Sequence, residues 1–185
     1  MNLSVIIWSV WFLSEILLSR FRRSGSRQRE NQDKKTFRII WASIFLSITA
    51  GVLSTIFVNL PISSNKIYPL AGLLIILLGM LFRFISILTL GRLFTVDISI
   101  RQGHKIIKGG VYKFIRHPSY AGSIVSFIGF GLSLNNWISI FVVSMPVTAA
   151  LLYRIKIEEK LLTDQFGVEY TEYMKSTYRL FPWIY

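Results

Sequence analysis

The chain has 185 residues, of which 52% are apolar and only 16% charged, and its mean hydropathy is +0.52. That length suits one domain, and apolar residues gathered in runs long enough for membrane spans exclude an ordinary soluble fold. The net charge of +12 would suit a nucleic-acid binder, a reading that the distribution of those charges decides against, while the lack of Cys excludes disulfides, a thiolate nucleophile and any Cys-ligated metal.

Leu3 to Leu18 is apolar apart from its serines and Glu15. It predicts a short first span whose flanks snorkel. The positive charges follow this run instead of preceding it, unlike a cleaved signal peptide, so a retained helix with its N-terminus outside is expected. Arg20, Arg22, Arg23, Arg27, Arg29, Lys34, Lys35 and Arg38 then crowd one polar connection. Such a cluster marks a cytoplasmic loop and also suits anionic lipid headgroups. Ile39 to Leu60 is the second predicted span, Pro61 to Pro69 an outer turn carrying only Lys66, and Leu70 to Leu90 the third span. Within it, Arg83 lies ~10 Å from the inner end by helical rise. Snorkelling and an intramembrane functional role both fit that position.

Gly91 to Arg116 returns Arg92, Arg101, Lys105, Lys108, Lys113 and Arg116 to the inner side. Tyr120 to Leu134 is the fourth predicted span, Asn135-Asn136 a tight outer turn, and Trp137 to Tyr153 a fifth span that Pro146 should kink. A polar helical tail starts at Arg154. Arg154 and Glu158, four apart, share one helix face, although Arg before Glu is the weaker order for an ion pair. Gly167 reads as a helix stop, and Tyr173, Tyr178, Phe181 and Pro182 form an aromatic end suited to folding back on the membrane surface. The expected fold is all-α and integral to the membrane: one domain, 1–185, with about five transmembrane helices at 3–18, 39–60, 70–90, 120–134 and 137–153. Every cation except Lys66 and Arg83 then lies inside, so the basic surface needs no nucleic acid.

The densest chemistry lies at Gly109 to Gly122. Gly109-Gly110 breaks the chain, Pro118 suits a first helical turn, His117 is placed to cap that helix, and Tyr112, Arg116 and Tyr120 crowd alongside. Gly129-Phe130-Gly131 reads first as close helix packing, with a cofactor-binding glycine motif as the alternative. His104 and His117 are too few for a histidine-based zinc site, and no His-Glu-x-x-His or P-loop pattern occurs, so no metal is expected.

Arg116-His117-Pro118-Ser119-Tyr120 with Gly122 resembles the signature of the isoprenylcysteine carboxyl methyltransferase family, related to the phospholipid methyltransferases. The resemblance runs from about Leu81 to Pro182 and appears in order: Leu90-Gly91-Arg92-Leu93-Phe94-Thr95, His104-Lys105-Ile106-Ile107, Gly110-Val111-Tyr112, the Arg116–Gly122 block, Arg154 with Glu158, and Phe166-Gly167-Val168-Glu169-Tyr170. It is closest in kind to short, five-span prokaryotic-type members. The first two spans carry no matching motif, and Lys160 stands where some members have an acidic residue.

The resemblance implies a methyltransferase using S-adenosylmethionine and releasing S-adenosylhomocysteine. Its cofactor site would comprise His104, Lys105, Ile106, Ile107, Tyr112, His117, Pro118, Ser119, Tyr120 and Glu158, within the cytoplasmic loop and helical tail. Arg154 would meet the substrate carboxylate as the catalytic and substrate-binding residue. The implied substrate is an isoprenylcysteine-like or other isoprenoid lipid, free or attached to a protein, entering from the bilayer. A carboxylate already ionised at neutral pH needs alignment more than acid–base help. Two other classes remain open: a phospholipid or amine N-methyltransferase, and a non-catalytic membrane anchor that binds anionic lipid. A nicotinamide-dependent reductase is more remote, as no dinucleotide glycine fingerprint is present.

Overall fold

The computed structural model describes residues 3–21, 30–58, 60–94 and 105–182, and among these the regular structure is helical. The helices are α1 (Leu3–Phe21), α2 (Glu30–Phe57), α3 (Ile67–Leu90), α4 (Pro118–Ser133), α5 (Trp137–Phe166) and α6 (Val168–Lys175), with 3₁₀ turns at Gly91–Leu93 and Gly110–Lys113. By length and composition, Lys34–Phe57 of α2, α3 and α5 can each cross a membrane, and Leu3–Ser19 of α1 is a shorter apolar helix. This is an integral membrane helical bundle.

The boundaries depart from the apolar runs for local reasons. α2 begins before Ile39 because Glu30 to Lys35 is rich in helix-forming residues. It ends at Phe57, short of Leu60, because the next backbone groups bond to the turn between α4 and α5. Asn136 Nδ2 donates to the Val58 carbonyl at 2.7 Å, Trp137 N to Leu60 O at 3.1 Å, and Ile62 N to Asn135 O at 3.2 Å. Pro61 has no N–H with which to continue a helix. Asn136 also caps α5, its Oδ1 accepting from Ile138 N at 2.9 Å. α3 starts at Ile67 and takes Pro69 into its first turn, where proline costs little. α5 runs unbroken through Pro146 and past Arg154 to Gly167, so the fifth span and the start of the predicted tail are one 30-residue helix.

α4 is the hub. Its 16 residues include twelve that are buried, spread around the whole helix. A helix apolar on every side belongs in a core. α3 lies antiparallel along it on a seam of small residues. An added methyl on Gly129 would meet Ile76 N at 2.7 Å and Gly72 O at 2.8 Å, and one on Gly122 would meet Gly79 O at 2.8 Å. Glycines seven apart on each helix therefore let the two backbones touch. Gly131 faces Ile140 Cα of α5 at 2.7 Å by the same measure, so Gly129 and Gly131 sit at helix contacts. α1 packs Trp11 edge-on to Phe127, ring centroids 4.8 Å apart, and Trp8 Nε1 donates to Ser133 Oγ at 3.0 Å. α2 follows α5 through Ser139 Oγ, which bonds Gly51 O at 2.9 Å and Ser54 Oγ at 2.7 Å. The outward faces of α2 and α3 stay apolar, with Phe45, Leu74 and Leu78 exposed as a lipid-facing surface requires.

Candidate functional site

The antiparallel order brings the ends of α1 and α3, the starts of α2 and α4, and the second half of α5 to one end of the bundle. Gly110, at φ +57°, packs against Thr89 of α3, and the 3₁₀ turn after it buries Tyr112 while leaving Lys113 exposed. The next segment is extended, so its backbone needs partners outside itself. The C-terminal residues supply them: Arg116 N donates to Tyr178 O at 2.8 Å, His117 N to Arg179 O at 3.1 Å, and Tyr178 N to Phe114 O at 2.9 Å. Leu180 then enters the core. The aromatic end thus folds back onto the loop before α4. α6 is tied to the same loop, as Tyr173 Oη donates to the Tyr112 carbonyl at 2.6 Å.

Pro118 opens α4, where its fixed φ and missing N–H suit the first turn. His117 occupies the cap position but its side chain makes no capping bond; the ring turns to Glu159 instead. Tyr120, on the first turn of α4, stacks on His117 with ring centroids 5.7 Å apart. Its hydroxyl donates to Glu158 Oε2 at 2.7 Å and accepts from Arg154 Nε at 3.2 Å. The two α5 residues predicted to share a face do so, with a phenol from α4 set between them. Arg154 is buried and also donates to Thr36 Oγ1 of α2 at 3.0 Å.

Glu159, one position on, has a different environment. Its carboxylate lies 3.0 Å from Arg116 Nε, 3.2 Å from His117 Nε2 and 2.9 Å from an Arg179 nitrogen. Arg116 further donates to the Met174 carbonyl at 2.9 Å and to the Thr177 carbonyl. Glu159 therefore clasps the loop, α5 and the C-terminal segment together. Glu158 is half-buried and faces the aromatic side, where burial first, and then its charge, pushes the Tyr112 phenol above its ordinary range.

Arg83 turns to protein partners and is 12% exposed. Its Nη1 donates to both Ser119 O at 3.0 Å and Ser119 Oγ at 2.9 Å, and its Nε lies 2.9 Å from Glu15 of α1. Beside it opens a cavity walled by Phe37, Ile44, Phe94, Phe127 and Leu151, with Glu15, Arg83, Ser119, Tyr120 and Arg154 on its polar side.

Tyr112, His117, Pro118, Ser119, Tyr120, Arg154 and Glu158 thus gather at one end of the bundle. Ser119 is engaged by Arg83, and His117 by Glu159. Lys105 is exposed, and Ile106 and Ile107 are half-buried in the stretch leading to the 3₁₀ turn. His104 lies outside the described residues. Among the described residues no group of acidic and histidine side chains could hold a metal ion. Sequence reasoning missed Thr36, Glu15, Glu159 and Arg179 as partners. Glu15 carried a signal, being the one charge inside an otherwise apolar run.

The profile of the isoprenylcysteine carboxyl methyltransferase family matches residues 71–164, about half of the chain. Protein-S-isoprenylcysteine O-methyltransferase A of Arabidopsis thaliana is 35% identical over 115 residues, 61% of this chain and 58% of the relative. The protein-S-isoprenylcysteine O-methyltransferase of Saccharomyces cerevisiae is 33% identical over 138 residues, 71% of this chain and 58% of the relative. The chain spans about half the length of the curated relatives it matches. Among solved structures, the eukaryotic intramembrane Ras methyltransferase superposes with a TM-score of 0.67 at 24% identity, covering 98% of this chain and 65% of that one. The chain belongs to the isoprenylcysteine carboxyl methyltransferase family.

Proposed function

We propose that the chain is an S-adenosylmethionine-dependent membrane methyltransferase that esterifies the carboxylate of an isoprenylcysteine-like or other isoprenoid lipid. The observation that supports it is the Arg154–Tyr120–Glu158 hydrogen-bond chain, which stands where an apolar cavity meets the polar end of the bundle. The residues present fit the donor. Glu158 offers a carboxylate to an ammonium group, Tyr112 and Tyr120 offer aromatic faces to a sulfonium or an adenine, and the stretch at Lys105 to Ile107 leaves backbone groups outside any helix.

When bound, S-adenosylmethionine would supply a sulfonium methyl for the carboxylate oxygen to take up, the carbon–sulfur electron pair leaving with sulfur. No proton moves. The protein's part is placement: Arg154 holds the carboxylate, Thr36 and Tyr120 hold Arg154, and the apolar wall takes the isoprenoid and excludes water. Sharing the Arg154 charge with Tyr120 and Thr36 keeps it from gripping the nucleophile too tightly. An amine substrate would also have to lose a proton, which makes N-methylation the weaker reading.

The chain is read as one domain crossing the membrane five times, with its N-terminus outside and the site at the cytoplasmic face. α1 and α4 complete the five passes. Because the chain lacks Cys, single cysteines placed at Lys66 and at Lys113 test this with an impermeant thiol reagent in intact cells: Lys66→Cys should label and Lys113→Cys should not. For the activity, purified protein in lipid vesicles is given labelled S-adenosylmethionine with a farnesylcysteine analogue or with phosphatidylethanolamine. Methyl ester on the farnesylcysteine is expected. Label on phosphatidylethanolamine alone would select the N-methyltransferase, and no binding of the donor by calorimetry would leave a non-catalytic anchor.

A further inference from the structure

Glu15 and Arg83 form a charged pair among apolar helices, and both face the cavity that Arg154 enters. Their side chains are only 14% and 12% exposed. Charges at such depth are costly and are kept where they do something. The geometry divides the labour between the partners of Arg83. Ser119 fixes the guanidinium with two hydrogen bonds to Nη1. Glu15 sits 2.9 Å from Nε, yet the buried Nε–H is not aligned to bond it. Glu15 therefore contributes charge more than geometry. Glu15 also lies on α1, outside residues 71–164 that the family profile matches.

From this we infer that Glu15 sets the anionic charge the cavity accepts: by masking Arg83 it tunes the site to a lipid with a singly charged head, such as a carboxylate, over one with a doubly charged head, such as a phosphate monoester. Without Glu15 the same cavity presents one more positive charge, held in place by Ser119, and a second negative charge on the ligand becomes favourable. In the low-dielectric surroundings of the cavity one added charge outweighs differences in head-group size. The inference rests on the proposed carboxylate substrate.

The test is competitive binding of farnesylthioacetic acid and farnesyl monophosphate to the full chain in vesicles. Wild type should prefer the carboxylate. Glu15→Gln should move the affinity ratio toward the phosphate by at least about fivefold, since an unmasked cation at contact distance is worth more than an exposed pair. Glu15→Gln combined with Arg83→Gln, which removes both charges, should return the ratio to within about twofold of wild type, the experimental scatter of near-neutral changes. A smaller shift in Glu15→Gln, or an equal shift in the double variant, overturns the inference. Glu15→Ala repeats the measurement should the Gln variant not fold. Failure of wild type to bind the carboxylate lipid would instead remove the proposed function and this inference with it; normal wild-type binding with an unmoved ratio would remove the inference alone.

Discussion

The two ends of the bundle are built on opposite principles. At the end that carries Val58, Leu60 and Asn136, Gly72 and Gly129 bring two backbones into contact, and Asn136 ties the two turns there together. At the opposite end, helices spread around a cavity, and ionised side chains do the joining. Close packing needs no charge, whereas an open space removes packing and must be braced some other way. The neighbours Glu158 and Glu159 repeat the contrast at smaller scale. Glu159 has three basic partners and braces the fold, while Glu158 is met by the Tyr120 phenol and stays half-buried.

Substitutions separate bracing from chemistry. Glu159→Gln should be the most damaging to the fold, because Arg116 and Arg179 lose the counter-charge they surround; a loss of about 3–5 kcal/mol is expected, read as a lower unfolding temperature in detergent. Arg154→Ala should lower transfer to a carboxylate lipid by about 100-fold while leaving donor affinity within a fewfold, and Glu158→Gln should weaken donor binding by about tenfold with little change in unfolding temperature. Calorimetry beside a transfer assay measures both. Tyr120→Phe, which loses the shared hydroxyl, should impair donor and acceptor together; an effect on only one would break the proposed link between them.

Along the α3–α4 seam, Gly129→Ala should cost about 1–3 kcal/mol by forcing a methyl against the α3 backbone, whereas Gly109→Ala in the loop, with open space around it, should be nearly neutral. Equal stabilities for those two variants would undo the contact seam. A small loss belongs to Tyr173, whose bond to the Tyr112 carbonyl docks α6; Tyr173→Phe should cost about 1 kcal/mol. Burial pushes the Tyr173 phenol up to about 12 from its ordinary value, with Arg116 pulling the other way. A raised folded-state value means the contribution is full below the ordinary phenol range near 10 and is lost as pH rises through about 12. The Phe variant should lose that part of the alkaline dependence of unfolding.

Much of the site was legible in the chain because its signals are local. Pro118 marks a helix start, Gly167 a helix end, and Arg154 and Glu158 share a face by helical period alone. The helix boundaries that were missed, at Glu30, Phe57 and Ile67, depended on which distant group would accept or donate a backbone bond. The small-residue seam was half visible: Gly72 and Gly79, and Gly122 and Gly129, are each seven apart, but that spacing does not say which helix will face which.

The sequence alone determined a helical membrane protein with its motif residues clustered at helix ends, since hydropathy, helical period and glycine and proline punctuation act over a few residues. Tertiary structure decided which of two adjacent glutamates is ringed by Arg116, His117 and Arg179 and which is met by Tyr120. It also decided that Arg83 pairs with Glu15, and that the C-terminal segment holds the loop before α4. Those outcomes depend on groups brought together from 20 to 68 positions apart, and electrostatic partners at that separation are chosen by packing and not by spacing in the chain.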